Sequence, residues 1–151
     1  MRYATRIDKR CDGSEAQSAT QPSSDAADDS LKAKRRWFAN ESFRRAVALA
    51  IDKNVMVERA WQGRGWPQDG PVSPADGWFY SPACRDAPVF SLSRARSLLK
   101  REGFTFDNDG GACFDSAGNR VSFTLMSNTG NRAREMIARS VADACDSLGI
   151  E

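Results

Sequence analysis

The stretch that most constrains the fold lies near the C-terminus, where a period of two gives way to a helical period. Between Arg120 and Ser127, the apolar residues Val121, Phe123 and Leu125 fall on alternate positions and predict a strand with one apolar face. Asn128 to Asn131 then read as a turn. From about Arg132 to Leu148, Ile137, Val141, Ala144, Cys145 and Leu148 share one side of a predicted helix, with Gly149 as its stop. A strand followed at once by an amphipathic helix and Leu-Gly-Ile-Glu is the opening of a β-α-β unit, in which the second strand pairs parallel to the first. The expectation is a fragment that stops inside this motif.

The rest of the chain is helical or loop-like. Residues 1 to 34 read as a tail, because Gly13 to Ser30 consists mainly of Ser, Ala, Asp, Gln and Thr with no aromatic residue and no apolar period. Such a segment cannot bury enough surface to offset its backbone entropy, and disorder is expected. Lys32, Lys34, Arg35 and Arg36 lead into an ordered part that begins at Trp37. Asn40 is a predicted N-cap, followed by Phe43, Ala46, Val47, Ala50 and Ile51 at helical spacing. Asp52 restarts the chain as a second cap, with Val55, Met56 and Ala60 on a helix that Gly63 and Gly65 end.

From Gly63 to Phe90, Pro67, Pro71, Pro74, Pro82 and Pro88 remove backbone donors and predict a long ordered loop. Its aromatic residues include Trp66, Trp78, Phe79 and Tyr80. Ser91 caps a third helix that turns Leu92, Ala95, Leu98 and Leu99 to one side, with Gly103 past its end. Phe104 to Asn119 is rich in Asp, Asn and Gly and predicts turns around a short hairpin.

Composition narrows the function. The 151 residues suit one domain, and 22 basic against 20 acidic residues give a net charge of +2, which argues against a dedicated nucleic-acid binder. There is no histidine, so His-assisted nucleophiles and Cys/His zinc sites are excluded. The spacing of Cys11, Cys84, Cys113 and Cys145 contains no Cys-x-x-Cys, and no metal site or cofactor is expected. Asp107, Asp109 and Asp115 invite a calcium loop, but Gly111, Ala112 and Gly118 occupy the positions where an EF-hand needs its fifth-position oxygen, Gly and Glu. No motif sets a base beside a nucleophile, so no enzyme is expected. No apolar run is long enough to cross a bilayer, and Met1 to Ala19 lacks the apolar core of a signal peptide. The sequence as written would stay in the cytoplasm.

Four blocks in order resemble the peptide, dipeptide and nickel solute-binding proteins that serve ABC transporters. They are FANESFRRAVALAIDKNVMVERAWQGRG (Phe38 to Gly65), GPVSP (Gly70 to Pro74), SLSRARSLLKREGF (Ser91 to Phe104) and GNRVSFTLMSNTGN (Gly118 to Asn131). The first resembles the family's Arg-rich helix ending in Ala-Ile-Asp, and the others its Gly-Pro-x-x-Pro loop, its Leu-Leu helix with Ala-Gly-Phe, and its strand with an Asn-x-Gly-Asn turn. Ser91-Leu92 departs from the family's Asp-Pro, and the family's acidic anchor for a peptide amino terminus has no counterpart here. The resemblance implies an α/β fold, α+β-like in this piece: an incomplete periplasmic-binding-protein lobe over residues 35–151. It also implies a periplasmic or extracytoplasmic protein, a peptide or similar polar solute as ligand, and an ABC permease as partner. A tail at 1–34 stands outside it, and alone the chain is expected to bind little ligand.

Ser127 and Asn128 sit at a strand's carboxyl end, where α/β sheets tend to bind ligands, and are expected to face the ligand. The plainer reading is a helix-capping turn with Asn131 as N-cap. Trp78 and Tyr80 are expected to line the cleft, or else to cover the core beneath a loop. Cys84 and Cys113 lie in loops and are candidates for a disulfide in an exported protein, although sequence leaves connectivity open. A second function class is a self-standing cytoplasmic module that binds nucleic acid or an acidic protein through its Arg-rich helices. Arg44, Arg45, Arg132, Arg134 and Arg139 would supply it, interrupted by Glu135, Asp143 and Asp146.

Overall fold

The structure is a computed structural model and describes residues 4–6, 24–68, 70, 72–81, 88–107, 111–128 and 130–151. In chain order the elements are β1 (Ala4–Arg6), α1 (Ser24–Ala39), α2 (Glu41–Ala50), α3 (Lys53–Trp61), a 3₁₀ segment (Pro74–Phe79), α4 (Leu92–Arg101), β2 (Thr105–Phe106), β3 (Cys113–Phe114), β4 (Met126–Asn128) and α5 (Arg132–Ser147). Helices, a short hairpin and a β–α unit make a mixed α/β fold.

Four helices start where a side chain can replace a missing backbone partner. Asn40 accepts from Phe43 N–H at 3.1 Å, Asp52 from Asn54 N–H at 3.0 Å, Ser91 from Arg94 N–H at 3.3 Å and Asn131 from Arg134 N–H at 3.0 Å. Asn40 also donates from Nδ2 to Glu102 Oε2 at 3.0 Å, pinning the start of α2 to the end of α4. Hydrogen bonds from Asn40 and then Ser42 hold the Glu102 carboxyl below its usual range. At the other end of this pair, Ser91 N–H donates to Leu49 C=O at 2.8 Å, so α2 and α4 run antiparallel.

The predicted helix faces are largely those buried. Phe43, Ala46 and Ala50 of α2, Ala95 and Leu99 of α4, and Ala144 and Cys145 of α5 enter one core with Leu148. Phe43 stacks on Phe104 with ring centroids 5.5 Å apart, and Phe38 meets Phe123 edge-on at 5.1 Å. Leu49, outside the predicted stripe, is buried as well, because the Ser91 end of α4 docks beside it.

Order also begins earlier than the sequence suggests. Helix α1 starts at Ser24, so the boundary expected at residue 34 falls inside it, and Ala33 is buried with Trp37. Lys32 pairs with Asp28 at 2.7 Å and Asp29 at 3.4 Å on its exposed side, an arrangement that supports a helix without any core contact.

The strand pattern is finer than the single strand expected at Arg120–Ser127. β2 and β3 form the predicted hairpin, and Phe114 bridges Arg120 beyond a turn closed by Asp115. Val121 N–H donates to Cys113 C=O at 2.8 Å. Phe123 N–H donates to Glu151 C=O at 2.8 Å, and Glu151 N–H to Val121 C=O at 3.1 Å. Those last two bonds are the pattern of a parallel pair, so Ile150-Glu151 returns alongside the strand that precedes α5, as a β-α-β unit requires. Met126–Asn128 pairs antiparallel with Ala4–Arg6. The strand is therefore divided among successive partners and has regular ladder geometry only at its end.

Candidate functional site

Helix α5 and β4 together present the turn that the sequence marked for ligand contact. Ser127 and Asn128 lie in β4, opposite Thr5 and Ala4. Gly130, at φ +84°, makes the turn into α5, and its N–H donates to Glu135 Oε1 at 3.3 Å. Asn131 caps the helix as the plainer reading expected. Asn128 is exposed, and its Oδ1 accepts from Arg134 Nη1 at 3.2 Å. That bond orients the amide with its hydrogens available for a ligand carbonyl. Ser127 is half-buried. Arg134 and Glu135, which brace the turn from the first turns of α5, were read from sequence only as part of an interrupted basic surface and not as partners of this turn. The detectable signal was only that both follow an N-cap Asn within helical reach.

Trp78 and Tyr80 sit at the end of the 3₁₀ segment. Ser73 and Asp76 form a capping box there, with Ser73 N–H donating to Asp76 Oδ2 at 3.0 Å. Gly77, at φ +60°, breaks the segment, and Tyr80 N–H returns to Gly77 C=O at 3.1 Å. Trp78 is 85% exposed and Phe79 63%, their rings 3.7 Å apart at the centroids. These two rings do not cover the core; Tyr80 is half-buried. Among the described residues Trp78 stacks with Phe79 and Asn128 bonds to Arg134, so each half of the expected site is held by its own neighbours.

The remaining candidates serve structure. Asp107 Oδ1 accepts from Gly111 and Ala112 N–H, and Asp115 Oδ1 accepts from Ala117 N–H at 3.0 Å and Asn119 N–H at 2.8 Å. Both carboxylates are occupied in shaping turns, and no cluster able to hold a metal occurs among the described residues. Asp109 lies outside the described residues, as does Cys84 of the expected disulfide. Its proposed partner Cys113 is a buried free thiol. Burial, followed by the charge of Asp115, pushes that thiol up to about 11. No described helix is long and apolar enough to cross a membrane.

Comparison with known proteins gives this geometry its setting. Over 125 residues the chain is 33% identical to a probable ABC transporter-binding protein of Deinococcus radiodurans, covering 82% of this chain and 21% of that protein. Over 120 residues it is 33% identical to the oligopeptide-binding protein AppA of Bacillus subtilis, covering 78% and 22%. The chain thus spans about a fifth of the length of these curated relatives. The structure of AppA in complex with a nonapeptide superposes with a TM-score of 0.64 at 26% identity, over 78% of this chain and 23% of that one. The periplasmic oligopeptide-binding protein of an oligopeptide ABC transporter from Thermotoga maritima shares the fold, with a TM-score of 0.61 at 21% identity over 76% and 22% of the two chains. Residues 11–151 match the family described as bacterial extracellular solute-binding proteins, family 5 Middle, and the chain belongs to that family of binding proteins, which are not enzymes.

Proposed function

We propose that this chain supplies the opening part of an α/β lobe in an extracytoplasmic peptide-binding protein that delivers its ligand to an ABC permease. The observation that carries this reading is the superposition on the nonapeptide-bound oligopeptide-binding protein, over about three-quarters of this chain. Ser127 and Asn128 at the end of β4, with Trp78 and Tyr80 at the end of the 3₁₀ segment, are the ligand-facing residues. Asn128 offers amide hydrogens to a peptide carbonyl, while Trp78 supplies an aromatic wall that excludes water. Two lobes close around the ligand in such a protein, and a single partial lobe has only one wall of the cleft.

A chimera tests the reading. Residues 11–151, the span that matches the family, replace the corresponding segment of the Bacillus subtilis oligopeptide-binding protein, and a nonapeptide is titrated calorimetrically. The chimera is expected to bind the peptide, whereas the isolated 151-residue chain binds it weakly or not at all. Asn128→Ala and Trp78→Ala should each weaken binding by the chimera about 5- to 30-fold, the loss of one oriented hydrogen bond or one aromatic contact. Tight stoichiometric binding by the isolated chain, or a folded chimera without binding, would overturn the proposal.

A further inference from the structure

The antiparallel pair α2 and α4 leaves an open groove of about 500 Å³ between the two helices. Arg45 and Leu49 of α2 face Arg94, Ser97 and Arg101 of α4 across it, with Glu41 at one end. The other cations of these two helices all have partners. Arg44 donates to Phe38 C=O at 2.6 Å and Ala39 C=O at 2.9 Å, Arg96 to Ser147 C=O at 2.8 Å, and Lys100 lies 5.9 Å from the Phe106 ring centroid. Arg45, Arg94 and Arg101 are exposed, and among the described residues none is held by an ion pair or a side-chain hydrogen bond, Arg101 having only the through-space attraction of Glu102 beside it. The positive charge on this helix pair that no bond holds in place is therefore gathered on the groove.

We propose that this groove docks an extended acidic segment of a partner protein. The seven-residue separation of Arg94 and Arg101 strings their charges along about 10 Å of one helix face, instead of converging them on a point. Carboxylates on one side of an extended chain recur about every 7 Å, a spacing that suits such a row better than a compact phosphate does. Ser97 Oγ already donates to Ser93 C=O at 2.9 Å, which leaves its lone pairs for an amide N–H; a phosphate brings only acceptors. Leu49 and Leu98 give the groove an apolar floor for side chains between the acidic ones. None of these residues belongs to the ligand-facing set, so the groove is a second surface beside the proposed cleft.

The test is fluorescence anisotropy with a short labelled peptide of alternating Glu and Leu, titrated with the full chain at low ionic strength. Saturable binding is expected, lost when Lys replaces Glu in the peptide and weakened by added salt. Arg94→Glu with Arg101→Glu should weaken it at least about tenfold. The exposed α5 pair Arg132→Glu with Arg139→Glu should change it less than about twofold. Asn128→Ala, which probes the cleft, should leave it unchanged. The neutral pair Arg94→Gln with Arg101→Gln serves if charge reversal disturbs the far-ultraviolet spectrum. Absence of binding, equal loss in the α5 control, or stronger competition by tripolyphosphate or duplex DNA than by unlabelled peptide would each overturn the proposal.

Discussion

Trp37 Nε1 donates to Asp115 Oδ2 at 2.9 Å, joining α1 to the turn after β3 across 78 residues of sequence. Asp115 is the buried charged residue of the described core, and its other oxygen accepts from the Ala117 and Asn119 backbone. Burial opposes its ionisation. The hydrogen bonds from Asn119 and Trp37, with those from the backbone, outweigh that cost and hold the carboxyl below its ordinary value. One side chain thus closes its own turn and clamps a distant helix.

Asp115→Ala should therefore destabilise the chain by about 1–3 kcal/mol at neutral pH, measured by urea denaturation. Because folding lowers this carboxyl's affinity for protons, its contribution is complete above the ordinary aspartate range near 3.9 and is lost as pH falls through the lower folded value. The stability gap between wild type and variant should shrink over that acid window. A gap that does not depend on pH would show that the ionised form is not what stabilises.

Gly149 at φ +73° and Gly118 at φ +81° make a matched pair of left-handed glycines in different surroundings. A Cβ on Gly149 would stand 2.8 Å from Gly111 O and 3.0 Å from Cys113 N, both backbone atoms, whereas one on Gly118 meets nothing within 4 Å. Gly118→Ala should cost about 1 kcal/mol, the conformational penalty alone. Gly149→Ala should cost more than about 2 kcal/mol, since Cys113 N–H also donates to Gly149 C=O at 2.8 Å. Equal losses in the two variants would disprove the close approach.

Cys113 and Cys145 are buried and lie outside any disulfide. In a Cys11→Ser, Cys84→Ser background, neither should react with a thiol reagent at neutral pH until denaturant is added, because the thiolate is the reactive species. Labelling of native protein as fast as that of unfolded protein would contradict the burial.

Ile150 is 1% exposed beside the parallel bonds of Glu151. Ile150→Ala should cost about 2–5 kcal/mol. Arg59→Ala, which removes a 3.5 Å ion pair with Asp143 exposed to solvent on both sides, should stay within about 1 kcal/mol. A reversal of that order in urea melts would place the anchor of α5 elsewhere.

Local chemistry settled most of the helices from sequence. Asn40, Asp52, Ser91 and Asn131 cap helices because their side chains reach a backbone N–H two or three residues ahead, a contact that needs no distant partner. The buried stripes of α2, α4 and α5 were legible for the same reason, since helical period alone decides which residues share a face. The β-α-β reading was legible too, because a strand leading straight into an amphipathic helix has few ways to bury its apolar side.

Tertiary structure decided what depends on partners far along the chain. The N-terminal part of α1 lacks an apolar period, and its order rests on Ala33 and Trp37 entering a core built from later elements. The division of Arg120–Asn128 among β3, Glu151 and β1 follows from where those backbones lie, which alternation cannot report. Trp78 was readable as aromatic, but its exposure beside Phe79 was not. The groove cations stand out from the other arginines of α2 and α4 only because folding gave Arg44 and Arg96 their partners. Sequence determined the elements through contacts a few residues long, and the tertiary structure decided which surfaces those elements share.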